Sequence, residues 1–340
     1  MKKKIKILFR TGGGREKGKE LGLGHIFRCI NLANFFETKQ IYFLLEDFGG
    51  AKKVLNSFGH KKINLIQKNL SKEKEIEITK KLINELKIDV LVIDRYKIDP
   101  NYVKKMKKII KTVVISDLKN ISFDADLIIN GFIGYENKIQ YNKYGTKCLL
   151  GPKYQILNKK ITRYNQDKTK SYDFLATFGG IDEKNISELI FKTITKENIK
   201  IKKCKIIFGP AKKIKQGVIE QNKNKKIELV RESKNIFKDM VKTKIGFCAG
   251  GITSYEFACL RIPFVVICQV KHQLETAKEW DKKGFAINLG LPNKLTPKKI
   301  RKILENKNNL KLSNNRKIID GNGGFRAKRE ICNLVFKKIT

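Results

Sequence analysis

The 340-residue chain predicts an α/β protein made of two domains, each a largely parallel sheet covered by helices. Two observations carry this. Strand-like apolar runs alternate with helical periodicity from end to end, and that alternation stops once, at a polar stretch near the middle, before restarting. In the first half, strands are expected at about 4–9, 41–45, 63–66, 89–93, 112–116 and 126–130, with helical periodicity strongest over 72–86 and 102–110. The polar segment 158–171 has no apolar period and reads as a linker. Beyond it, strands are expected near 172–178, 204–208, 227–230, 244–248, 263–267 and 285–288, and 326–338 reads as a closing helix. The expected domains are therefore 1–157 and 172–340, with ligands bound beyond the carboxyl ends of the strands.

Bulk properties narrow the function. Hydrophobic residues make up 41% of the chain, enough for two ordinary cores. No apolar run approaches the roughly 20 residues that span a bilayer. Met1-Lys2-Lys3-Lys4 is followed by too short an apolar stretch for a secretory leader, which predicts a cytoplasmic protein without a membrane span. The seven cysteines are scattered, never in C-x-x-C spacing, and mostly inside apolar runs, so buried thiols are expected and no metal site is indicated. The net charge of +41 would suit a polyanion, but the lysines are spread along a chain also rich in Ile and Asn. No zinc finger, basic-region heptad or aromatic RNA-binding pattern accompanies them, so specific nucleic-acid binding is not expected.

Four motifs carry chemistry. A glycine-rich loop after the first strand runs into Gly22-Leu23-Gly24-His25-Ile26-Phe27-Arg28, where Ile26, Ile30, Ala33 and Phe36 recur at helical spacing. A glycine loop at a helix start is a cradle of N–H groups suited to phosphate, and His25 stands there as a candidate base; helix capping or packing is its plainer role. Val90-Leu91-Val92-Ile93 ends in Asp94-Arg95-Tyr96, where a parallel sheet presents functional groups: Asp94 to orient a partner, Tyr96 to bond substrate or water. Phe178-Gly179-Gly180-Ile181-Asp182 closes another strand; its glycines let backbone approach a ligand, while Asp182 and Asn185 also suit a helix cap. Cys248-Ala249-Gly250-Gly251-Ile252-Thr253-Ser254-Tyr255-Glu256 forms a second cradle. Thr253 and Glu256 have capping-box spacing, and Glu256 equally suits ribose hydroxyls. Gln273, opening a later helix beside His272, could reach a sugar hydroxyl. His60 reads as a surface residue.

Together with Gly151-Pro152-Lys153-Tyr154, these segments resemble, in their order, the UDP-sugar hydrolases of the pseudaminic-acid pathway and related spore-coat polysaccharide proteins. The resemblance spans nearly the whole chain. Its G-x-G-H-x-x-R element is the most specific, whereas GG-x-T-x-x-E is shared more widely, including with the N-acetylglucosaminyltransferase that makes lipid II. The resemblance implies a GT-B-like pair of Rossmann-like domains with the active site in the interdomain cleft. It also implies hydrolysis of UDP-2,4-diacetamido-2,4,6-trideoxy-β-L-altrose to the free sugar and UDP, with inversion at C1 and without metal or cofactor. His25 would activate water, with Asp94 and Tyr96 assisting. Arg10, Gly24, Arg28, Gly179, Gly180, Asp182, Gly250, Gly251, Thr253, Glu256 and Gln273 would hold the substrate. The expected partner is the UDP-sugar alone, and the expected state a monomer or small homo-oligomer.

Three features depart from that pattern: the long loop Thr11–Glu20, the single acid in Ser116-Asp117-Leu118, and Asn130-Gly131-Phe132 in place of Asn-x-Asn. All lie in the sugar-facing half. A glycosyltransferase using the same residues on an acceptor hydroxyl is the competing reading, and a non-catalytic nucleotide-sugar binder is a third.

Overall fold

A computed structural model describes residues 4–14, 22–46, 48–164, 169–180, 182, 184–196, 199–209, 214, 216–222, 226–306 and 318–336. The chain divides into two compact units, Met1–Lys159 with Gly321–Thr340, and Lys160–Asp320.

The first unit opens with strand β1 (Ile7–Thr11), helix α1 (Gly24–Ala33), β2 (Ile41–Glu46), α2 (Ala51–Ser57) and β3 (Ile63–Ile66). It continues with α3 (Lys72–Leu86), β4 (Val90–Asp94), α4 (Pro100–Lys107), β5 (Lys111–Ile115), β6 (Leu127–Asn130), β7 (Lys138–Tyr141) and β8 (Lys147–Leu150). Its eight strands lie in the order β3-β2-β1-β4-β5-β6-β8-β7, all parallel except the β7–β8 pair. β1, β4 and β6 are buried along their whole length, as strands covered on both faces must be. Leu8, Leu91, Ile93 and Val114 meet Ile76 and Ile83 of α3 and Val103 and Met106 of α4 in one core. Helix starts follow local chemistry: Ser71 caps α3, and Asp99 followed by Pro100 caps α4.

The second unit holds β9 (Tyr172–Thr177), α5 (Ile186–Lys196), β10 (Cys204–Ile207), α6 (Gln216–Gln221), β11 (Ile227–Val230), α7 (Ile236–Val241) and β12 (Thr243–Cys248). Next come α8 (Ile252–Cys259), β13 (Phe264–Val266), α9 (Gln273–Lys282), β14 (Ala286–Asn288) and α10 (Pro297–Glu305). The sheet is parallel, ordered β11-β10-β9-β12-β13-β14. In each unit the strand order reverses direction between the first strand and the fourth, β1 beside β4 and β9 beside β12. That reversal opens a crevice at the carboxyl ends of those two strands, where doubly wound sheets bind ligands.

Twelve expected strands are present, and α3 has the expected bounds. β1 begins later than expected and extends through Arg10 and Thr11, because parallel pairing with β4 carries on to Thr11 opposite Asp94. The hairpin β7–β8 was not foreseen: β7 is a polar, largely exposed edge strand and so has no burial period. The domain boundary 172–340 is corrected at its far end. The last helix, α11 (Gly323–Phe336), packs against α1 and β5 of the first unit, and Lys147 pairs with Glu330 at 2.7 Å. Gly324 lets α11 sit close to the Phe35 ring, since a Cβ there would lie 2.2 Å from it. Of the linker 158–171, residues 165–168 lie outside the described residues, as do residues 15–20 of the long glycine loop.

Candidate active site

His25 sits in the first turn of α1, after the carboxyl end of β1, and Asp94 is the last residue of β4. The two strands are neighbours, so the switch point of the first unit brings them together: His25 Nδ1 lies 2.7 Å from Asp94 Oδ1. A carboxylate oxygen only accepts, which puts the hydrogen on Nδ1 and the lone pair on Nε2. His25 keeps a fifth of its side chain exposed, and Nε2 has no protein partner among the described residues. Gly24 beside it is exposed, with open space where a Cβ would stand. An oriented imidazole with a free basic nitrogen is the arrangement of a general base.

Asp94 is completely buried. Arg28 clasps it from one turn further along α1, Nε to Oδ2 at 2.7 Å and Nη2 to Oδ1 at 2.6 Å. The other edge of the guanidinium meets Asp117, in the turn after β5, through Nη1–Oδ1 and through Nη2–Oδ2 at 3.0 Å. Burial alone would lower the Arg28 pKa, but Asp117 and then Asp94 outweigh it and hold the group well above its usual range. Arg28 was expected to face the substrate; with both edges occupied by carboxylates it is instead the clamp of the His25–Asp94 pair.

Arg10 is corrected in the same way. It is fully buried, donating from Nε to Glu75 Oε1 at 2.8 Å and from Nη1 to the Thr11 carbonyl at 2.6 Å, so it is built into the core. Glu75 also takes Arg95 at 2.9 Å, which anchors the segment following Asp94. Tyr96 lies on that segment, 45% exposed, with Lys97 over its ring.

In the second unit, three loops follow the adjacent strands β9, β12 and β13. Gly179 adopts φ +80° and is exposed with open space around it. Asp182 is withdrawn from the expected ligand set: its carboxylate accepts from the N–H groups of Ile186 at 2.9 Å and Ser187 at 2.8 Å, which makes it the cap of α5. Gly250 is buried where a Cβ would stand 2.9 Å from the Gln273 carbonyl oxygen, so the α8 loop and the α9 start require glycine there. Gln273 is itself engaged, its Oε1 accepting from the Gln269 N–H at 2.9 Å. Gln269 in turn donates from Nε2 to the Phe178 carbonyl at 2.7 Å, tying the β13 loop to the β9 loop.

The capping box does not form. Gly251 is the N-cap residue of α8, which puts Thr253 and Glu256 inside the helix. Neither side chain has a hydrogen-bond partner among the described residues. Desolvation without a neighbouring cation pushes the Glu256 carboxyl up to about 7. A carboxylate kept unpaired in a chain of net charge +41 is suited to an incoming donor.

Sequence reasoning did not assign Asp117, Gln269 or Gly209. Gly209, at φ +89°, packs against the Gly179 and Gly180 carbonyls, and a Cβ there would lie 2.4 Å from the first of them. Its signal was available, as a glycine directly after the strand run ending Ile206-Ile207-Phe208. Asp117 had none beyond an acid after a strand.

No model of a protein family matches the chain. It is similar to the spore coat polysaccharide biosynthesis protein SpsG of Bacillus subtilis, 27% identical over 289 residues, 81% of each chain. It is also similar to the UDP-2,4-diacetamido-2,4,6-trideoxy-beta-L-altropyranose hydrolase of Campylobacter jejuni, 27% identical over 290 residues, 83% of this chain and 98% of that one. Among solved structures, MurG of Acinetobacter baumannii aligns with a TM-score of 0.65 at 14% identity, over 98% of this chain and all of that one. The resemblance read from the motifs therefore holds, and the fold is GT-B-like. Among the described residues, no helix is long and apolar enough to cross a membrane.

Proposed function

We propose that the chain is a UDP-sugar-processing enzyme, and that its reaction is hydrolysis of the C1–O bond of a UDP-activated 2,4-diacetamido-2,4,6-trideoxy sugar. The observation that carries this is the His25–Asp94 pair with Nε2 unoccupied. In this reading His25 Nε2 takes a proton from water while the water oxygen bonds to C1 on the face opposite UDP. The C1–O electron pair leaves on the β-phosphate, giving UDP and an inverted free sugar. Asp94 and Arg28 keep the imidazole oriented, and Asp94 offsets the charge it gains. The similarity to the Campylobacter jejuni hydrolase supports water as the acceptor and this sugar as the substrate.

The nucleotide end is assigned to the second unit. The exposed Gly179 and the half-buried Gly251 offer backbone to the diphosphate, and the unpaired Thr253 and Glu256 offer an acceptor pair to the ribose. Tyr96 is assigned to the sugar end.

The test incubates the protein with a panel of UDP-sugars in ¹⁸O-labelled water. Label in the sugar and none in UDP is the expected result. UDP release that requires an added alcohol acceptor would instead establish a glycosyltransferase.

A further inference from the structure

We propose that Asp117 is a positioning residue acting on His25 through Arg28: it supplies the second negative charge that lets the imidazole take up a proton beside a fixed guanidinium. This rests on the reading of His25 as the base.

The geometry poses a problem that Asp117 solves. Arg28 Nη2 lies 3.3 Å from His25 Nδ1, and since both nitrogens carry hydrogens this is a charge contact and not a hydrogen bond. Protonating the imidazole sets two cations side by side. The groups that meet the imidazole come from three places. Asp94 approaches from β4, Arg28 from α1, and Asp117 from the turn after β5, with Oδ2 3.9 Å from Nδ1. Cys29 reaches Asp94 Oδ2 at 3.7 Å, but burial and then Asp94 push its thiol well up, so it adds no charge. With neutral imidazole, Asp94, Arg28 and Asp117 sum to one negative charge, and proton uptake brings the cluster to zero. Without Asp117 the same step would take it from zero to a net positive charge beside a fully buried carboxylate, at a desolvation cost.

Asp117 is the largest offset to the burial of Arg28, yet its side chain is 51% exposed and faces the imidazole as well as the guanidinium. Its turn is nonetheless held in place. Asn130, completely buried, donates from Nδ2 to Ser116 Oγ at 3.0 Å and to the Leu118 carbonyl at 2.9 Å, on either side of Asp117. Leu118 is kept at φ +52°, a left-handed conformation that a side chain adopts at a cost.

The test follows histidine ring signals by NMR across a pH titration, which needs no turnover. The chain has three histidines, and the signal missing from H25N identifies His25. In D117N the His25 midpoint is expected to move to lower pH, the direction set by losing an opposite charge 3.9 Å from Nδ1. D117S should repeat the shift, and D117E, which keeps the charge, should reverse most of it. An unmoved midpoint in folded D117N or D117S overturns the proposal. Wild-type protein that turns over no UDP-sugar would sink the functional reading while leaving the titration result standing. If the wild type does turn over, the acid limb of its kcat/KM profile should shift with the NMR midpoint.

Discussion

Trp280 donates its indole N–H to the Ser254 hydroxyl at 3.0 Å, and that hydroxyl donates to the Gly251 carbonyl at 2.7 Å. The single tryptophan of the chain is thereby wired to the loop assigned to the nucleotide. Tyr255, Phe264 and Phe285 surround the indole edge-on and fix it.

Tryptophan emission should therefore change saturably as UDP is added. S254A removes both bonds and leaves the indole N–H buried without a partner. It should weaken UDP binding about fivefold, in line with the roughly 1 kcal/mol of one hydrogen bond. Emission that stays flat while calorimetry records binding would place the nucleotide away from this loop.

For His25, the expected outcome separates chemistry from structure. The ring is partly exposed and its one hydrogen bond is to Asp94, so H25N should fold, melt near the wild type and bind UDP normally. Turnover should fall by roughly 10²-fold or more, the usual worth of a positioned base. Turnover per folded molecule close to the wild type would remove His25 from the mechanism.

D94N should behave differently, because Asp94 serves two masters. It orients His25 and it pairs the buried Arg28, which would be left with Asp117 alone. Breaking a buried pair costs about 3–5 kcal/mol, so D94N should lose both turnover and thermal stability. Equal melting temperatures for D94N and H25N would contradict this account of the clamp.

Most of the fold was legible because parallel strands covered on both faces are continuous apolar runs, as in Val90-Leu91-Val92-Ile93. The hairpin at 138–150 escaped notice because Lys138-Ile139-Gln140-Tyr141 pairs on one side only and buries little. The closing helix was legible as a helix, but its return to the first unit depends on contacts such as Lys147–Glu330, 183 residues apart, which no local pattern encodes. In the site, residue types were readable and their partners were not. Arg10 and Arg28 read as substrate-holding residues until the fold surrounded them with Glu75, Asp94 and Asp117. The capping box of Thr253 and Glu256 failed for a simpler reason: α8 starts two residues before Thr253 could cap it, with Gly251 as its N-cap.

Glu256 gives the sharpest separation of function from stability. Its carboxyl is pushed up to about 7 in the folded chain, against about 4.3 for an unstrained glutamate. Folding therefore favours the protonated form. The associated stability is complete below about 4.3 and is lost as pH rises through about 7, where an unpaired, desolvated charge appears. E256Q removes that charge, so it should melt above the wild type at pH 8, with the difference shrinking as pH falls and vanishing only below about 4.3. UDP binding should move the other way. If the carboxylate accepts from ribose hydroxyls, E256Q should bind UDP at least about tenfold more weakly at pH 8, the scale of a hydrogen bond to a charged group. The deficit should shrink as pH falls and the wild-type carboxyl takes up its proton. Taking the ratio of the two affinities at each pH cancels the titration of the phosphate itself. A variant that is both more stable and weaker in binding at pH 8 marks a residue kept at a cost to the fold for the sake of its ligand. Unchanged affinity would leave the nucleotide site without its proposed ribose acceptor.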